Sequence, residues 1–124
     1  MSKRKTVFVV DDDPSMLRGV KRLLSAHGYE SLLFSSAEAL HQHDNFDQAL
    51  CVVLDINLND DSGIEVNHRL KAAGVLAPVI FITGNDNPAT RMAATASGCL
   101  AYLTKPFGAS SLIEPIQRVA DGFA

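Results

Sequence analysis

Short apolar runs alternate with longer amphipathic segments along this chain, and each kind occurs five times. The apolar runs cover residues 6–10, 29–34, 51–54, 78–83 and 100–104. Three of them are almost continuously apolar and rich in β-branched residues, whereas the run at 29–34 is weaker. Continuous runs of this kind are typical of strands that are buried on both faces of a parallel sheet. The pattern therefore predicts five strands that alternate with five helices.

The segments between the runs carry the start and stop signals of helices. Asp13 before Pro14 is typical of an N-cap followed by proline at the first helical position, and Gly28 stands where a helix-ending glycine belongs. Similar signals predict the other four helices. Ser35 and Glu38 form a capping box at the start of the second helix, and the third helix is expected over residues 63–74. Asn87-Pro88 opens the fourth helix and Gly98 closes it, and Ser111 and Glu114 form a capping box near the start of the fifth.

The alternation of strands and helices also predicts the fold class. It indicates an α/β fold with a doubly wound five-stranded parallel sheet, in the flavodoxin-like (βα)5 arrangement with strand order 2-1-3-4-5. Because the chain has 124 residues and neither an internal repeat nor a linker, we expect one domain over residues 1–124. In such sheets a functional site lies beyond the carboxyl ends of the strands, where the winding reverses.

Composition excludes several classes of function. The net charge of −3 argues against direct binding of nucleic acid, which needs a basic surface. No apolar run approaches the ~20 residues that span a bilayer, and the first run is too short for an export signal, so we expect neither. Cys51 and Cys99 lack a metal-ligand spacing. We interpret them as buried thiols in a reducing compartment, the cytoplasm.

Polar residues stand where four of the apolar runs end. The first run leads into the acidic residues 11–13, the third into Asp55, the fourth ends in Thr83, and the fifth leads to Lys105. The predicted fold makes these ends neighbours, so carboxylates, a hydroxyl and an ammonium converge on one crevice. Clustered carboxylates repel each other unless a cation offsets their charge, and Mg²⁺ prefers oxygen ligands. Such a set of groups is sufficient for phosphoryl transfer.

Four short motifs carry a resemblance to a known family. They are Val9-Val10-Asp11-Asp12, Val53-Leu54-Asp55, Ile82-Thr83-Gly84 and Tyr102-Leu103-Thr104-Lys105-Pro106-Phe107. In this order and at this spacing they resemble the receiver domains of two-component response regulators, which have a chemotaxis-regulator-like fold, and the match covers the whole chain. The resemblance implies a signalling switch that is not an enzyme, apart from the chemistry of its own phosphorylation and dephosphorylation.

The resemblance implies a site for Mg²⁺, or Mn²⁺, at the ends of the first and third strands. Asp12 would ligate the cation directly and Asp11 mainly through water. Asp55 and the backbone carbonyl of Asn57 would complete the ligands that the protein supplies. Asp13 is interpreted differently, because capping the first helix explains its presence fully.

The resemblance also implies how the switch operates. Asp55 would accept a phosphoryl group from a phosphohistidine on a histidine kinase or a histidine phosphotransfer protein. Lys105 would contact that group, Thr83 would donate its hydroxyl to it, and Tyr102 would be the aromatic switch residue. Phosphorylation would change the face made by the fourth helix, fifth strand and fifth helix, which binds a downstream protein target or effector domain. A phosphorylation-dependent dimer is compatible with this scheme, and the lack of a linker favours a stand-alone receiver.

Two other functions stay open from the residues. The acidic run also fits the Asp-x-Asp motif of haloacid-dehalogenase-like phosphatases, with Asp11 as the nucleophile. Those enzymes usually need a longer chain, a cap and a late acidic pair, but after Lys105 only the separate Glu114 and Asp121 remain. The third interpretation is a docking module that is never phosphorylated, and the complete set of four motifs argues against it.

Several positions depart from the family pattern or have ordinary explanations. Receivers often carry Met-Pro in the loop after the acceptor aspartate, where this chain has Leu58-Asn59; the change loosens the loop but removes no catalytic group. Pro115 falls inside the fifth helix, which either starts late, at Ser111, or is kinked. We further expect exposed side chains at His27, His41, His43 and His68, a solvated loop at Asp60-Asp61, and a cis peptide bond between Lys105 and Pro106.

Overall fold

The computed structural model describes residues 6–122, in which five strands and five helices alternate. The strands are β1 (Thr6–Val10), β2 (Glu30–Phe34), β3 (Ala49–Asp55), β4 (Val79–Thr83) and β5 (Ala101–Thr104). The helices are α1 (Pro14–Ala26), α2 (Ala37–Gln42), α3 (Gly63–Ala72), α4 (Pro88–Ala96) and α5 (Ala109–Ala120). Neighbouring strands are parallel, and their order is β2-β1-β3-β4-β5. The predicted doubly wound, flavodoxin-like sheet is confirmed.

The central strands are buried on both faces because alternate side chains of a strand lie on opposite faces of the sheet. Val7 and Val9 of β1 pack with α1 and α5, whereas Phe8 and Val10 pack on the side of α2, α3 and α4. Every residue of β3 is buried. The edge strand β2 has exposed residues at alternate positions, which explains its weaker apolar pattern in the sequence.

Side-chain caps confirm the predicted starts of α1 and α4. Asp13 accepts a hydrogen bond of 2.9 Å from the backbone N–H of Ser15. Asn87 does the same for Thr90, also at 2.9 Å. Gly98 follows α4 with φ of 81°, a left-handed conformation that glycine adopts without strain. Both helices therefore begin, and α4 also ends, where the local sequence predicts.

The predicted capping box of α2 is wrong by one residue. Ser36, not Ser35, is the N-cap, and its Oγ accepts a 3.0 Å hydrogen bond from the N–H of Ala39. Two consecutive serines are equally good caps by residue type. Burial of Ala37 and Leu40 against the sheet sets the register of the helix and so selects the second serine.

The predicted capping box of α5 is also wrong. The helix begins at Ala109, after Gly108, and has no side-chain cap. Ser111 therefore lies inside the first turn, and Pro115 lies inside the helix without the N–H that would bond to the carbonyl of Ser111. Ile116, immediately after the proline, is fully buried, so packing against the sheet continues the helix through the missing bond.

Two further expectations concern the thiols and the bilayer. Cys51 is fully buried in β3, where burial raises the pKa of its thiol to about 12, and Cys99 is only partly buried. Both are free thiols, so burial is confirmed for the first cysteine and only in part for the second. Among the helices of residues 6–122, none has the length and hydropathy that a membrane crossing requires.

Candidate functional site

The carboxyl ends of the strands bring three acids together at one edge of the sheet. Asp11 and Asp12 directly follow β1, and Asp55 is the last residue of β3. One carboxylate oxygen from each of the three lies within 4.8 Å of the others. Asp11 and Asp55 are buried and Asp12 is partly exposed, whereas Asp13 is exposed and turned to its capping role. The three predicted carboxylate ligands thus form one acidic cluster.

Lys105 reaches from the loop after β5 into the acidic cluster. Its Nζ donates hydrogen bonds to Asp11 Oδ2 at 3.0 Å and to Asp55 Oδ2 at 3.1 Å. The peptide bond from Lys105 to Pro106 is cis, as predicted. Burial lowers the pKa of the Lys105 amine, but its bonds to the two carboxylates outweigh burial and raise that pKa above the ordinary value. The amine therefore stays charged between two of the acids.

The environment of Asp55 favours a reactive carboxylate. Burial raises the pKa of Asp55, and the negative charge of Asp11 adds to this increase. The N–H of Asn57, 3.0 Å from Asp55 Oδ1, and the ammonium of Lys105 lower that pKa but do not cancel the rise. A poorly solvated carboxylate is a stronger base and nucleophile than one in water. Asp55 is therefore suited to attack an electrophile in the crevice.

Thr83, at the end of β4, is fully buried beside this cluster. Its hydroxyl donates a 2.9 Å hydrogen bond to Oδ1 of Asn57 and accepts one of 3.0 Å from the N–H of Asn85. A hydroxyl has one proton to donate, so Thr83 cannot donate to another group without leaving Asn57. The sequence pointed to the backbone carbonyl of Asn57 but did not predict this side-chain contact.

Tyr102, the predicted aromatic switch residue, lies in β5 and contacts Asp86 and Arg91. Its hydroxyl donates a 2.8 Å hydrogen bond to Asp86 Oδ1, and the guanidinium of Arg91 lies 4.5 Å from the centre of its ring. Arg91 also bonds Asp86 at 3.0 Å, and this bond, followed by that from Tyr102, lowers the pKa of the Asp86 carboxyl. Sequence reasoning missed Asp86 and Arg91, because residue type alone does not link either of them to Tyr102.

Residues 60 and 61 lie in the loop after β3, as predicted, and Asp60 is exposed, but both carboxylates make contacts that the sequence did not predict. Asp60 accepts hydrogen bonds of 3.1 Å from the N–H groups of Ala37 and Glu38, the first two residues of α2, which lower the pKa of its carboxyl. Asp61 forms an ion pair with Arg69 of α3. A carboxylate at a helix N-terminus is stabilised by the free N–H groups there. The loop after β3 is therefore held from two sides.

One of the four histidines also departs from expectation. His27, His41 and His68 are exposed, as predicted, but His43 is only partly exposed. Its ring lies 5.3–5.7 Å from three phenylalanine rings, at steep angles, and its Nε2 is 2.7 Å from the carbonyl of Asn45. His43 is thus part of an aromatic cluster, away from the acidic residues at the strand ends.

The acidic cluster fits a hard divalent cation. It offers carboxylate oxygens, the ligands that Mg²⁺ and Mn²⁺ prefer, and one lysine does not balance the charge of three acids. Asp12 Oδ2 accepts the N–H of Asn59 at 2.7 Å, while its Oδ1 has no hydrogen-bond partner among residues 6–122. At least one oxygen is therefore available to a cation without breaking an existing contact.

Comparison with known proteins identifies the family. The family model described as the response regulator receiver domain matches residues 7–117. The chain belongs to the receiver domain family. Nodulation protein W of Bradyrhizobium diazoefficiens is 34% identical over 115 residues, which make up 93% of this receiver domain chain and 51% of the relative. The chain spans about half the length of the curated relatives it matches.

Two solved receiver structures are similar to this chain over almost their whole length. A response regulator receiver protein from Pseudoalteromonas atlantica has a TM-score of 0.89 at 25% identity, with 96% of this chain and 99% of that one covered. The BeF3-activated DrrB receiver domain has a TM-score of 0.82 at 28% identity, with 94% and 97% covered. Receiver domains are signalling switches of two-component systems and are not generally classed as enzymes. This membership argues against the interpretation as a haloacid-dehalogenase-like phosphatase.

Proposed function

We propose that residues 1–124 form one receiver domain that is switched by phosphorylation of Asp55. The observation that carries the proposal is the position of Lys105 Nζ, bonded at once to Asp55 and Asp11, with Asp12 in the same cluster. Such a site combines a nucleophile, a fixed positive charge and oxygen ligands for Mg²⁺ or Mn²⁺. The donor is a histidine kinase or a histidine phosphotransfer protein, and the compartment is the cytoplasm.

In the proposed transfer, one bond to phosphorus forms as another breaks. An oxygen of Asp55 forms a bond to phosphorus, and the bond from phosphorus to the donor's imidazole nitrogen breaks, with its electron pair staying on nitrogen. Lys105 neutralises charge on the phosphoryl oxygens as Asp55 Oδ2 is consumed. Asp12, Asp55 and the backbone carbonyl of Asn57 would hold a divalent cation directly and Asp11 mainly through water, and the bound cation would neutralise further charge on those oxygens.

The switch depends on the hydroxyls of Thr83 and Tyr102, each of which has one proton to donate and must leave its present acceptor to change partner. A phosphoryl group on Asp55 offers strong acceptor oxygens, so Thr83 exchanges its bond to Asn57 for one to the phosphoryl group. The backbone around Thr83 then moves, and Tyr102 leaves its bond to Asp86. Of the residues of α4, only Ala94 is buried, so little apolar contact is lost when this helix moves.

The direct test is incubation with acetyl phosphate, with Mg²⁺ or with a chelator, followed by intact-protein mass spectrometry. We expect one added phosphoryl group that appears only with the cation and is lost on treatment with hydroxylamine, as an acyl phosphate is. Absence of any mass gain under both conditions would instead favour the docking module that is never phosphorylated. Partner capture with and without a phosphate mimic then separates a protein target from an attached effector domain and from a dimer.

Mg²⁺ binding should depend on Asp12 and not on Asp13. Asp12→Ala removes a carboxylate of the acidic cluster, and we expect Mg²⁺ to bind about tenfold more weakly or worse, a loss of at least ~1.4 kcal/mol. Asp13→Ala should leave Mg²⁺ affinity in place but lower the free energy of unfolding by about 1 kcal/mol, because it removes the cap of α1. Isothermal titration calorimetry and urea unfolding measure the two effects. Equal losses of Mg²⁺ affinity would mean that Asp13 belongs to the site.

Activation should alter the face formed by α4, β5 and α5. We expect beryllofluoride with Mg²⁺ to change amide chemical shifts and hydrogen exchange in α4 and β5. Thr83 ends the strand that precedes α4, and Tyr102 lies within β5. Tyr102→Phe is the matched control, because it keeps the ring beside Arg91 and removes only the hydroxyl that holds Asp86. Changes restricted to α1 and α2 would place the output surface elsewhere.

A further inference from the structure

Each carboxylate of the acidic cluster accepts one hydrogen bond from a backbone N–H. Asp11 and Asp55 each accept theirs from the residue two positions later, at 2.9 and 3.0 Å. These are local turns that a short stretch of chain forms by itself. Asp12 differs, because its donor is the N–H of Asn59, 47 positions away in the sequence and 2.7 Å from Oδ2. Among these three backbone N–H donors, only the one that bonds Asp12 therefore comes from a distant part of the chain.

Asn59 can make this contact because it is not a proline. The residue stands where receivers often carry proline, which has no backbone N–H to donate. The side chain of Asn59 is exposed and forms no hydrogen bond among residues 6–122, so its backbone is the part that contacts the site. The departure from the family pattern, which the sequence suggested would only loosen the loop, adds a donor to the acidic cluster.

We infer that the backbone N–H of Asn59 is a positioning group for Asp12, which holds Oδ2 and leaves Oδ1 for the divalent cation. The inference rests on the cation site of the proposed function and deepens it. A hydrogen bond from an N–H to a carboxylate is charge-assisted, and it restricts the rotation of a side chain that is otherwise partly exposed. Less freedom is then lost when the cation binds, so the site is preorganised.

The loop that carries Asn59 is fixed well enough to serve as this support. The next residue, Asp60, accepts two N–H groups at the start of α2, each at 3.1 Å. Four residues beyond Asn59, the N–H of Gly63 bonds the carbonyl of Ile56 at 2.8 Å and closes the loop. The N–H of Asn59 is therefore presented from a segment that is anchored on both sides.

The test compares Asn59→Pro with Asn59→Ala rather than with the wild type. Both variants lose the side chain of Asn59, but only the alanine variant keeps the N–H, so their ratio isolates the hydrogen bond to Asp12. We expect Mg²⁺, titrated calorimetrically, to bind Asn59→Pro about three- to tenfold more weakly than Asn59→Ala, as for loss of a charge-assisted hydrogen bond. Equal affinities of the two folded variants would overturn the inference.

A second readout needs no change at residue 59 and decides the matter if the proline variant does not fold. In the cation-free wild type, the Asn59 amide should exchange slowly with solvent, and Asp12→Ala should speed its exchange about tenfold. The inference would be overturned if Asp12→Ala changed neither the exchange rate nor the chemical shift of the Asn59 amide. Failure of the wild type to bind Mg²⁺ is a different result, because it contradicts the cation in the proposed function while the amide still reports on Asn59.

Discussion

Asp55→Asn should abolish phosphorylation by acetyl phosphate and by a phosphohistidine donor. The substitution keeps the size of the side chain and the oxygen that accepts the N–H of Asn57, but it removes the carboxylate that is proposed to attack phosphorus. The amide is not a nucleophile at neutral pH, so we expect no phosphoryl adduct by intact-protein mass spectrometry. Asp13→Asn is the matched control, since it makes the same chemical change outside the acidic cluster and keeps a good helix cap.

The same variant should not lose stability, which separates lost chemistry from lost folding. Burial raises the pKa of Asp55 in the folded protein, so folding favours its protonated form. Its contribution to stability is therefore fully present below the unfolded pKa and is lost as pH rises through the folded pKa. At pH 7 without Mg²⁺, Asp55→Asn should unfold at the same or a higher urea concentration than wild type. This advantage should shrink as pH falls through the raised pKa of the folded protein, because Asp55 itself then takes up a proton.

Two results would contradict the assignment of Asp55. Full phosphorylation of the Asp55→Asn variant would exclude it as the acceptor. Reduction of the wild-type acyl phosphate with borohydride, followed by peptide mapping, would contradict it if the label were found on Asp11, which is the nucleophile of the phosphatase alternative. Clear urea destabilisation of Asp55→Asn at pH 7 would contradict the raised pKa but not the chemistry.

Gly63→Ala should both destabilise the fold and impair the site. A Cβ at this position would overlap the backbone oxygen of Asp55 and lie 2.9 Å from Cα of Ile56. Both neighbours are backbone atoms, so relief requires α3 to move away from the end of β3. We expect the free energy of unfolding to fall by about 2–3 kcal/mol, as for overpacking of a core. Phosphorylation of the folded fraction should also slow, because the displaced carbonyl belongs to Asp55, the proposed acceptor.

Gly19→Ala is the control for this prediction. Gly19 lies within α1, and a Cβ there would meet nothing within 4 Å. Alanine in a helix interior should raise the free energy of unfolding by about 0.5–1 kcal/mol relative to glycine. Urea unfolding followed by far-UV circular dichroism measures both variants. If Gly63→Ala had the same free energy of unfolding as the wild type, the β3–α3 loop would be able to move and accommodate the Cβ without destabilising the fold.

The sequence by itself determined the order of elements and the residues that meet at the site. Continuous apolar runs indicate strands buried on two faces, and parallel strands joined by right-handed crossovers admit few arrangements. Because the carboxyl ends of parallel strands lie at one edge, position in the chain is enough to bring Asp11, Asp55, Thr83 and Lys105 together. Asp13 as a helix cap also follows from the sequence, since a cap is a local contact within three residues.

The tertiary structure alone decided which groups hold these residues in place. Asn59 with Asp12, Asn57 with Thr83, and Asp86 with Tyr102 are paired across 16 to 47 positions. No periodicity encodes such pairs, because each depends on the path of a loop and on the rotamers that neighbouring side chains permit. The register of α2 and the helical course through Pro115 were decided likewise, by burial against the sheet. This burial outweighs a local preference of about 1 kcal/mol for one cap and a cost of about 3 kcal/mol for a proline inside a helix.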